Sequence, residues 1–443
     1  MLNIKMENYR EDLIRDIKRL VAINSVIDKP EPDAPFGIGI KRTLEECIDI
    51  AKSLGFKTYM DPEGYYGYAD IGQGDTLFAV LGHLDVVPAD DAENWVSHPF
   101  QPALIGDKLY GRGTQDDKGP LLAAMYGMKA LLDRNININK RVRFIFGTDE
   151  ETLWRGINKY MEKEEKPSFG FSPDSMFPLI HAEKGLLQLK LIGKGNKNIE
   201  IHAGSAFNAV PDKASFKTED IEKAKRIIIK HNFEYKVERD TITLFGKASH
   251  AAKPENGINA ISRLSIVLDE LGLESSSIKF ISRVINETYN GDNIVGNWED
   301  VSGKLTLNVG KLDITPDEEV ISIDVRIPVT YKKEDFAKKL SDKAEKYNLE
   351  YKEFDYLHSI YVPIENELVK KLRKVIEEQT DLESTPLTSG GATYARAMEN
   401  CVAFGAVFPG KPKTEHQTNE YIDVNDLMKS AEIYAHAIYE LLN

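Results

Sequence analysis

Histidine and carboxylate side chains recur in this sequence where strand-like runs end. The apolar run TLFAVLG (76 to 82) leads into His83-Leu-Asp85, and RVRFIFG (141 to 147) leads into Thr-Asp149-Glu150-Glu151. The short run FGFS leads to Pro-Asp174, and CVAFGAVF (401 to 408) leads by a loop to Glu415-His416. In an open parallel sheet ligands bind beyond the carboxyl ends of the strands, so one site could gather all of these residues. The segment GRGTQDDKGP (111 to 120) adds Asp116 just before a helix start, where a carboxylate can bridge two cations; Gly111 and Gly113 permit the tight turns it needs. Imidazole nitrogen and carboxylate oxygen suit zinc and also manganese, whereas a structural zinc knot would call for cysteine. A catalytic pair of metal ions is the chemistry this set suggests.

Each residue alone has a plainer explanation. A histidine after a strand is usually a hydrogen-bonded structural residue, adjacent acids such as Glu150 and Glu151 often open a solvated helix, and Asp116 with Asp117 could simply cap the helix at Lys118. Two adjacent carboxylates delivered by a buried strand are harder to explain that way, because unpaired charges there would be costly. Metal ions remove that cost.

The elements that must position these residues follow from periodicity. The first 180 or so residues alternate strand-like and helical stretches, the pattern of an α/β domain with a largely parallel, covered sheet. Between the two apolar strands, KGPLLAAMYGMKALLDR carries Leu121, Met125, Met128 and Leu132 at helical spacing, which makes a βαβ unit. From 185 to 359 the texture changes to charged helices between amphipathic strands. There DIEKAKRIIIKHNFEYKV (220 to 237) resembles DFAKKLSDKAEKYNLEYKEF (335 to 354), a weak internal repeat in which each copy would form one α+β half of an inserted domain. After residue 360 the α/β texture returns and a last helix starts near the N-cap Asp423. The expected organisation is therefore one domain of residues 1–184 and 360–443, interrupted by an insert at 185–359.

Composition narrows the partners. With 71 acidic and 57 basic residues the net charge is -14, which would repel nucleic acid and anionic membrane, so neither is expected as a partner. The start, MLNIKMENYREDLIRDIKRL, reads as an amphipathic surface helix rather than a signal peptide, and no stretch is long and apolar enough to span a bilayer. Only Cys47 and Cys401 occur, too few for a disulfide framework, which suggests a reducing compartment, the cytoplasm. No G-x-S-x-G elbow, Walker A loop or G-x-G-x-x-G fingerprint is present, which argues against a serine hydrolase or a nucleotide-binding enzyme.

Seven motifs occur in order: GHLDVVP (82 to 88), GRGTQDDKGP (111 to 120), GTDEE (147 to 151), SPDSMFP (172 to 178), GKASHAA (246 to 252), SGGATYAR (389 to 396) and TEHQTNE (414 to 420). With them the chain resembles the aminoacylase and glutamate-carboxypeptidase family of co-catalytic zinc peptidases, and more closely its PepV-type dipeptidases. The resemblance implies a zinc-peptidase-like α/β catalytic domain with a central, mostly parallel sheet, and an inserted α+β lid of two similar ferredoxin-like halves. It implies that His83 and Asp174 hold one metal, Glu151 and His416 the other, with Asp116 as bridge and Asp85 orienting His83. It also implies a cis peptide between Asp116 and Asp117. Glu150 is left free as the catalytic base, His250 matches the lid-borne donor to the oxyanion, and Asn208, Arg326, Gly390 and Gly391 match positions around the substrate. Arg326 alternates with apolar neighbours and could instead face solvent, although a guanidinium is a good partner for a substrate carboxylate.

The function these residues imply is a metal-dependent dipeptidase that hydrolyses short peptides with a free amino end. Its two divalent ions, zinc with manganese or cobalt as alternatives, would lower the pKa of a bridging water to give a hydroxide, with Glu150 moving the proton. In the wider family a shorter lid pairs two subunits; the long insert here implies a monomer. An N-acyl-amino-acid deacylase or desuccinylase would share the metal site, and a non-catalytic binding protein on the same scaffold would have no need of Glu150.

Overall fold

Apolar runs bounded by turn residues become strands in the computed structural model, which describes residues 4–89, 92–136 and 138–443. The chain forms two compact units, one of Met1–His181, Tyr361–Leu387 and Thr393–Asn443, the other of Ala182–Ile360 and Thr388–Ala392. Residues 388–392, read from sequence as part of the first domain, group with the second unit. The carbonyl of Gly390 accepts a hydrogen bond from Arg326 at 2.8 Å, and Lys184 N–H donates to Ser389 O at 3.0 Å.

The first unit is built on a nine-stranded mixed sheet. Along most of it the strand order is Lys57–Met60, Gly67–Ile71, Arg141–Gly147, Leu77–His83, Phe169–Ser172, Cys401–Ala403 and Ile180–Glu183. Its four central members, Arg141–Gly147, Leu77–His83, Phe169–Ser172 and Cys401–Ala403, run parallel, so their carboxyl ends share one edge. Leu77–His83 is buried along its whole length, as its unbroken apolar composition requires when both faces are covered.

Helix Lys118–Leu132 makes the crossover between two of these strands. It is buried on nearly every side, including Leu121, Met125 and Met128, so its packing is wider than a single apolar stripe. It meets the C-terminal helix Val424–Leu442 at Gly127, where a Cβ would stand 2.9 Å from both Ala431 O and Ala435 N. Near the start, the amphipathic stretch forms a 3-10 turn, Met6–Tyr9, and helix Arg10–Val21, which buries Leu13, Ile17, Leu20 and Val21; the first three residues of that stretch lie outside the described residues. Among the described residues no helix is long and apolar enough to cross a membrane.

The second unit has a five-stranded antiparallel sheet in the order Ile201–Ala203, Thr306–Ile314, Glu318–Ile327, Gly185–Lys194, Glu350–Leu357, and a three-stranded sheet of Lys213–Lys217, Thr241–Phe245 and Tyr235–Glu238. The two copies of the repeated segment are helices Ile221–Lys230 and Lys333–Glu345, each leading into a strand. The repeated Asn, Asn232 and Asn348, adopts the left-handed conformation in both, with φ of 55° and 57°, which ends the helix and turns the chain into the strand. The first copy's strand joins the three-stranded sheet and the second forms an edge of the five-stranded one.

Candidate metal centre

The strand Leu77–His83 ends on a histidine with no exposed surface. His83 Nδ1 lies 3.0 Å from the backbone oxygen of Asp85, which in the neutral ring places the proton on Nδ1 and the lone pair on Nε2. Nε2 is 2.9 Å from Asp116 Oδ1 and 4.0 Å from Asp174 Oδ2. The other oxygen of Asp116 is 3.0 Å from His416 Nε2, which is also 3.1 Å from Glu151 Oε1. Asp116 thus offers one oxygen to each imidazole, an arrangement that suits a carboxylate shared between two cations. Ligand atoms of His83, Asp116 and Glu151 lie within 4.8 Å of one another, and so do those of His83, Glu150 and Asp174. Such spacings suit donors that converge on ions at roughly 2 Å each.

The side chains are largely out of water: Asp116, Glu151 and Asp174 keep 12, 9 and 18% of their side-chain surface. Burial would push the His83 imidazolium towards neutrality, but its hydrogen bonds to Asp116 and Asp85 outweigh that and hold its pKa well above the usual value. Hydrogen bonds to Asp116 and then Glu151 push His416 up to about 10. Burial would raise Asp116, but His416 and His83 win and hold it below the usual carboxylate range. Burial raises Glu150 and Asp174 well above that range, with Asp116 adding to both, and burial also raises Glu151 against the pull of His416. A cluster with this much suppressed negative charge fits divalent cations, which would replace the protons.

Backbone hydrogen bonds hold the acids in place. Glu420 is fully buried; its Oε1 accepts from the N–H groups of Gly113, Gln115 and Asp116 at 3.0, 2.9 and 3.2 Å, and its Oε2 accepts from Arg112 Nη1 at 2.8 Å. Burial, then Asp116, raises its pKa to about 7 against the pull of Arg112. Asp85 Oδ2 accepts from Glu151 N–H at 3.0 Å, which ties the histidine strand to the acid pair. Asp149 accepts from Arg155 N–H and Gly156 N–H at 3.0 and 2.8 Å, and Trp154 donates its indole N–H to the carbonyl of Glu150 at 2.7 Å. The buried Tyr394 ring lies edge-on to both His83 and Trp154, and a Cβ on Gly147 would collide with it at 2.1 Å.

Asp117 does not cap the following helix. It stands at the N-cap position of Lys118–Leu132 without a capping bond, and its Oδ2 instead accepts from His83 N–H at 3.3 Å. The bond between Asp116 and Asp117 is cis. Glu420, Trp154 and Tyr394 carry no role in the sequence reading, although Glu420 and Tyr394 fall inside motifs quoted there. Their work is to fix backbone or pack under a ligand, which leaves no spacing signal.

The structure therefore brings together His83, Asp85, Asp116, Glu150, Glu151, Asp174 and His416, all in the first unit. His250, Asn208, Arg326, Gly390 and Gly391 belong to the second. His250 pairs with Ala209 across a two-stranded bridge, and its Nδ1 accepts from Ala252 N–H at 3.1 Å, so its neutral form presents Nε2–H as a free donor. Burial, then Arg326, lowers its pKa and favours that neutral form. Arg326 does not face solvent: it is 3% exposed, with Nε and Nη2 donating to Asp324 at 2.7 and 3.1 Å and Nη1 to Gly390 O. Among the described residues three of its five donors are thus used, which leaves two.

A model of Peptidase family M20/M25/M40 matches residues 79–440. The chain is 36% identical over 458 residues to "Putative dipeptidase YtjP" of Bacillus subtilis (strain 168), covering 98% of this chain and 97% of that one. Its fold is similar to that of the M20 family metallo-carboxypeptidase Sso-CP2 of Sulfolobus solfataricus, with a TM-score of 0.62 at 18% identity over 97% of this chain and 99% of that one. It is also similar to that of the YxeP protein of Bacillus subtilis, described as a dinuclear metal binding peptidase, with a TM-score of 0.53 at 14% identity over 98% and 99% of the two chains.

The geometry makes Glu420 a test of how Asp116 is aimed. Glu420→Gln turns the acceptor of the Arg112 and backbone bonds into a neutral amide; divalent-metal affinity measured by calorimetry is expected to fall on the order of 10- to 100-fold, while Glu420→Gln that binds metal like the unaltered protein would remove it from the centre.

Proposed function

The chain belongs to peptidase family M20/M25/M40, a family of metallopeptidases, and on that footing we propose that it is a two-metal dipeptidase acting on short peptides with a free amino end. The observation that carries this reading is Asp116, which gives one oxygen to His83 and the other to His416. His83 and Asp174 would hold one divalent cation, Glu151 and His416 the other, and Asp116 both; zinc suits this donor set best, with manganese or cobalt as alternatives. When bound, such a pair supplies Lewis-acid polarisation of the scissile carbonyl and makes water a stronger acid.

Glu150 takes the proton of the attacking water and returns it to the departing amine nitrogen. Burial and the neighbouring acids raise its pKa, which suits a group that must hold a proton between those two steps. The indole bond from Trp154 fixes the Glu150 backbone while the carboxylate moves that proton. We assign His250, a neutral donor through Nε2, to the developing oxyanion, the two remaining donors of Arg326 to the substrate carboxylate, and Asn208, Gly390 and Gly391 to substrate binding.

The name of the Bacillus subtilis relative, similar over nearly the whole of both chains, supports dipeptides as the substrate class. We also read the protein as a cytoplasmic monomer. The long insert with its repeated helix–strand segment supports the monomer, and Cys47 and Cys401 are buried and form no disulfide, as suits a reducing compartment.

Glu150→Gln should keep two cations per chain by elemental analysis while turnover falls on the order of 10^2- to 10^4-fold; a variant that loses metal instead would make Glu150 a ligand. Purified protein loaded with zinc, manganese or cobalt should cleave dipeptides in preference to tripeptides, N-acetyl and N-succinyl amino acids. Preference for an acylated amino acid would reassign it as a deacylase, and inactivity on all of them would favour a binding protein. Light scattering should give the mass of one chain, and a stable dimer mass would overturn the monomer.

A further inference from the structure

Three polar side chains form a row across the five-stranded sheet of the second unit. Strand register sets Gln188 opposite Asp324, and Asp324 opposite Asn308. Asp324 and Asn308 are 1 and 2% exposed, on the face of the sheet they share with Thr306, Ser322 and Arg326, opposite the face whose Leu, Ile and Val side chains form the core. Polar groups removed from water cost free energy unless their donors and acceptors are used, so such a buried row needs a reason.

Asp324 receives Arg326 through two hydrogen bonds and Gln188 Nε2 at 3.3 Å, which fixes the plane of the guanidinium. Asn308 donates both amide protons, to Phe207 O and Ala209 O, each at 2.9 Å. These two carbonyls bracket Asn208. The carbonyl of Asn208 accepts from Ala251 N–H at 2.9 Å, and Ala209 pairs with His250. Asn308 Oδ1 is in turn held by Asn259 Nδ2 at 3.1 Å, while Asn259 Oδ1 caps helix Ala260–Leu271. The strand has a bulge between Val309 and Lys311, and at Gly310 a Cβ would lie 2.5 Å from Phe207 O, so the Asn208 segment rests directly on the strand backbone.

We propose that Asn308 and Asp324 are positioning residues, one aiming Asn208 and His250 and the other aiming Arg326, so that neighbouring positions across two strands fix the spacing of all three. The proposal rests on the substrate roles given above for those three residues. It explains why these buried positions are polar: an amide with two donors can grip the carbonyls on both sides of one residue, and a carboxylate can hold a guanidinium flat while two of its donors point elsewhere.

Asn308→Asp is nearly isosteric and turns the two donors into acceptors facing carbonyl oxygens. In the metal-loaded full chain, hydrogen exchange read by mass spectrometry should speed up in segments 206–209 and 249–251 and stay unchanged in the five-stranded sheet. Dipeptide kcat should fall on the order of 10- to 100-fold with metal content intact, and the same substitution in a His250→Ala background should cost less than about threefold. Asp324→Asn should raise KM with little change in kcat. Exchange like that of the unaltered protein in the Asn308 variant, or equal kinetic losses in both backgrounds, would overturn the proposal. If the unaltered protein cleaves no dipeptide, the functional reading fails on its own, and exchange alone then decides: acceleration confined to the two segments upholds the grip of Asn308, and its absence overturns it.

Discussion

Five carboxylates, those of Asp116, Asp117, Glu150, Glu151 and Asp174, converge with two imidazoles at one edge of the sheet, and the rest of the first unit answers the charge problem this creates. Burial makes each ionised acid costly, and the two histidines can relieve only the acid they share. That acid is Asp116, whose pKa falls while those of Asp117, Glu150, Glu151 and Asp174 rise. Cations are the groups that would let all of them ionise together. The cost of the apolar strands, which exclude water, and the benefit of the site, in which electrostatic interactions are strong, therefore have one origin.

The acids of this unit divide by what they hold. Asp116, Glu150, Glu151 and Asp174 bring carboxylate oxygens close to the imidazole of His83 or His416, whereas Glu420, Asp149 and Asp85 accept from backbone N–H groups and fix the loops that carry the others. A carboxylate that receives several backbone donors makes a loop rigid without needing regular secondary structure. The second unit holds its buried polar side chains differently, with paired amides and an Arg–Asp fork set in strand register.

Much of the architecture was legible because buried parallel strands are apolar throughout and must end somewhere specific. Reading where TLFAVLG and RVRFIFG stop was enough to expect His83, Glu150 and Glu151 to meet, and the structure puts them together with Asp116, Asp174 and His416. Other features leave no periodic trace. Glu420 acts on a loop some three hundred residues earlier, through backbone atoms that every residue possesses. Arg326 sits in a strand whose alternation looks like a solvent-facing one, yet its outward neighbour is the buried Asp324. Residues 388–392 sit between two stretches of the first unit in sequence, and only the Arg326–Gly390 and Lys184–Ser389 bonds reveal where they pack.

The order of the ligands along the chain bears on how the protein is made. His83 precedes the whole second unit in the sequence, and His416 and Glu420 follow it. As the polypeptide leaves the ribosome, the strand bearing His83 and the second unit emerge long before the residues that grip Asp116. Domains fold as they become available, so the second unit can be complete while the metal centre still lacks one imidazole and the carboxylate that holds its central loop. Assembly of that centre must therefore wait until the chain beyond the second unit has been made, and a nascent chain cannot carry a finished hydrolytic site before residues 416–420 have emerged.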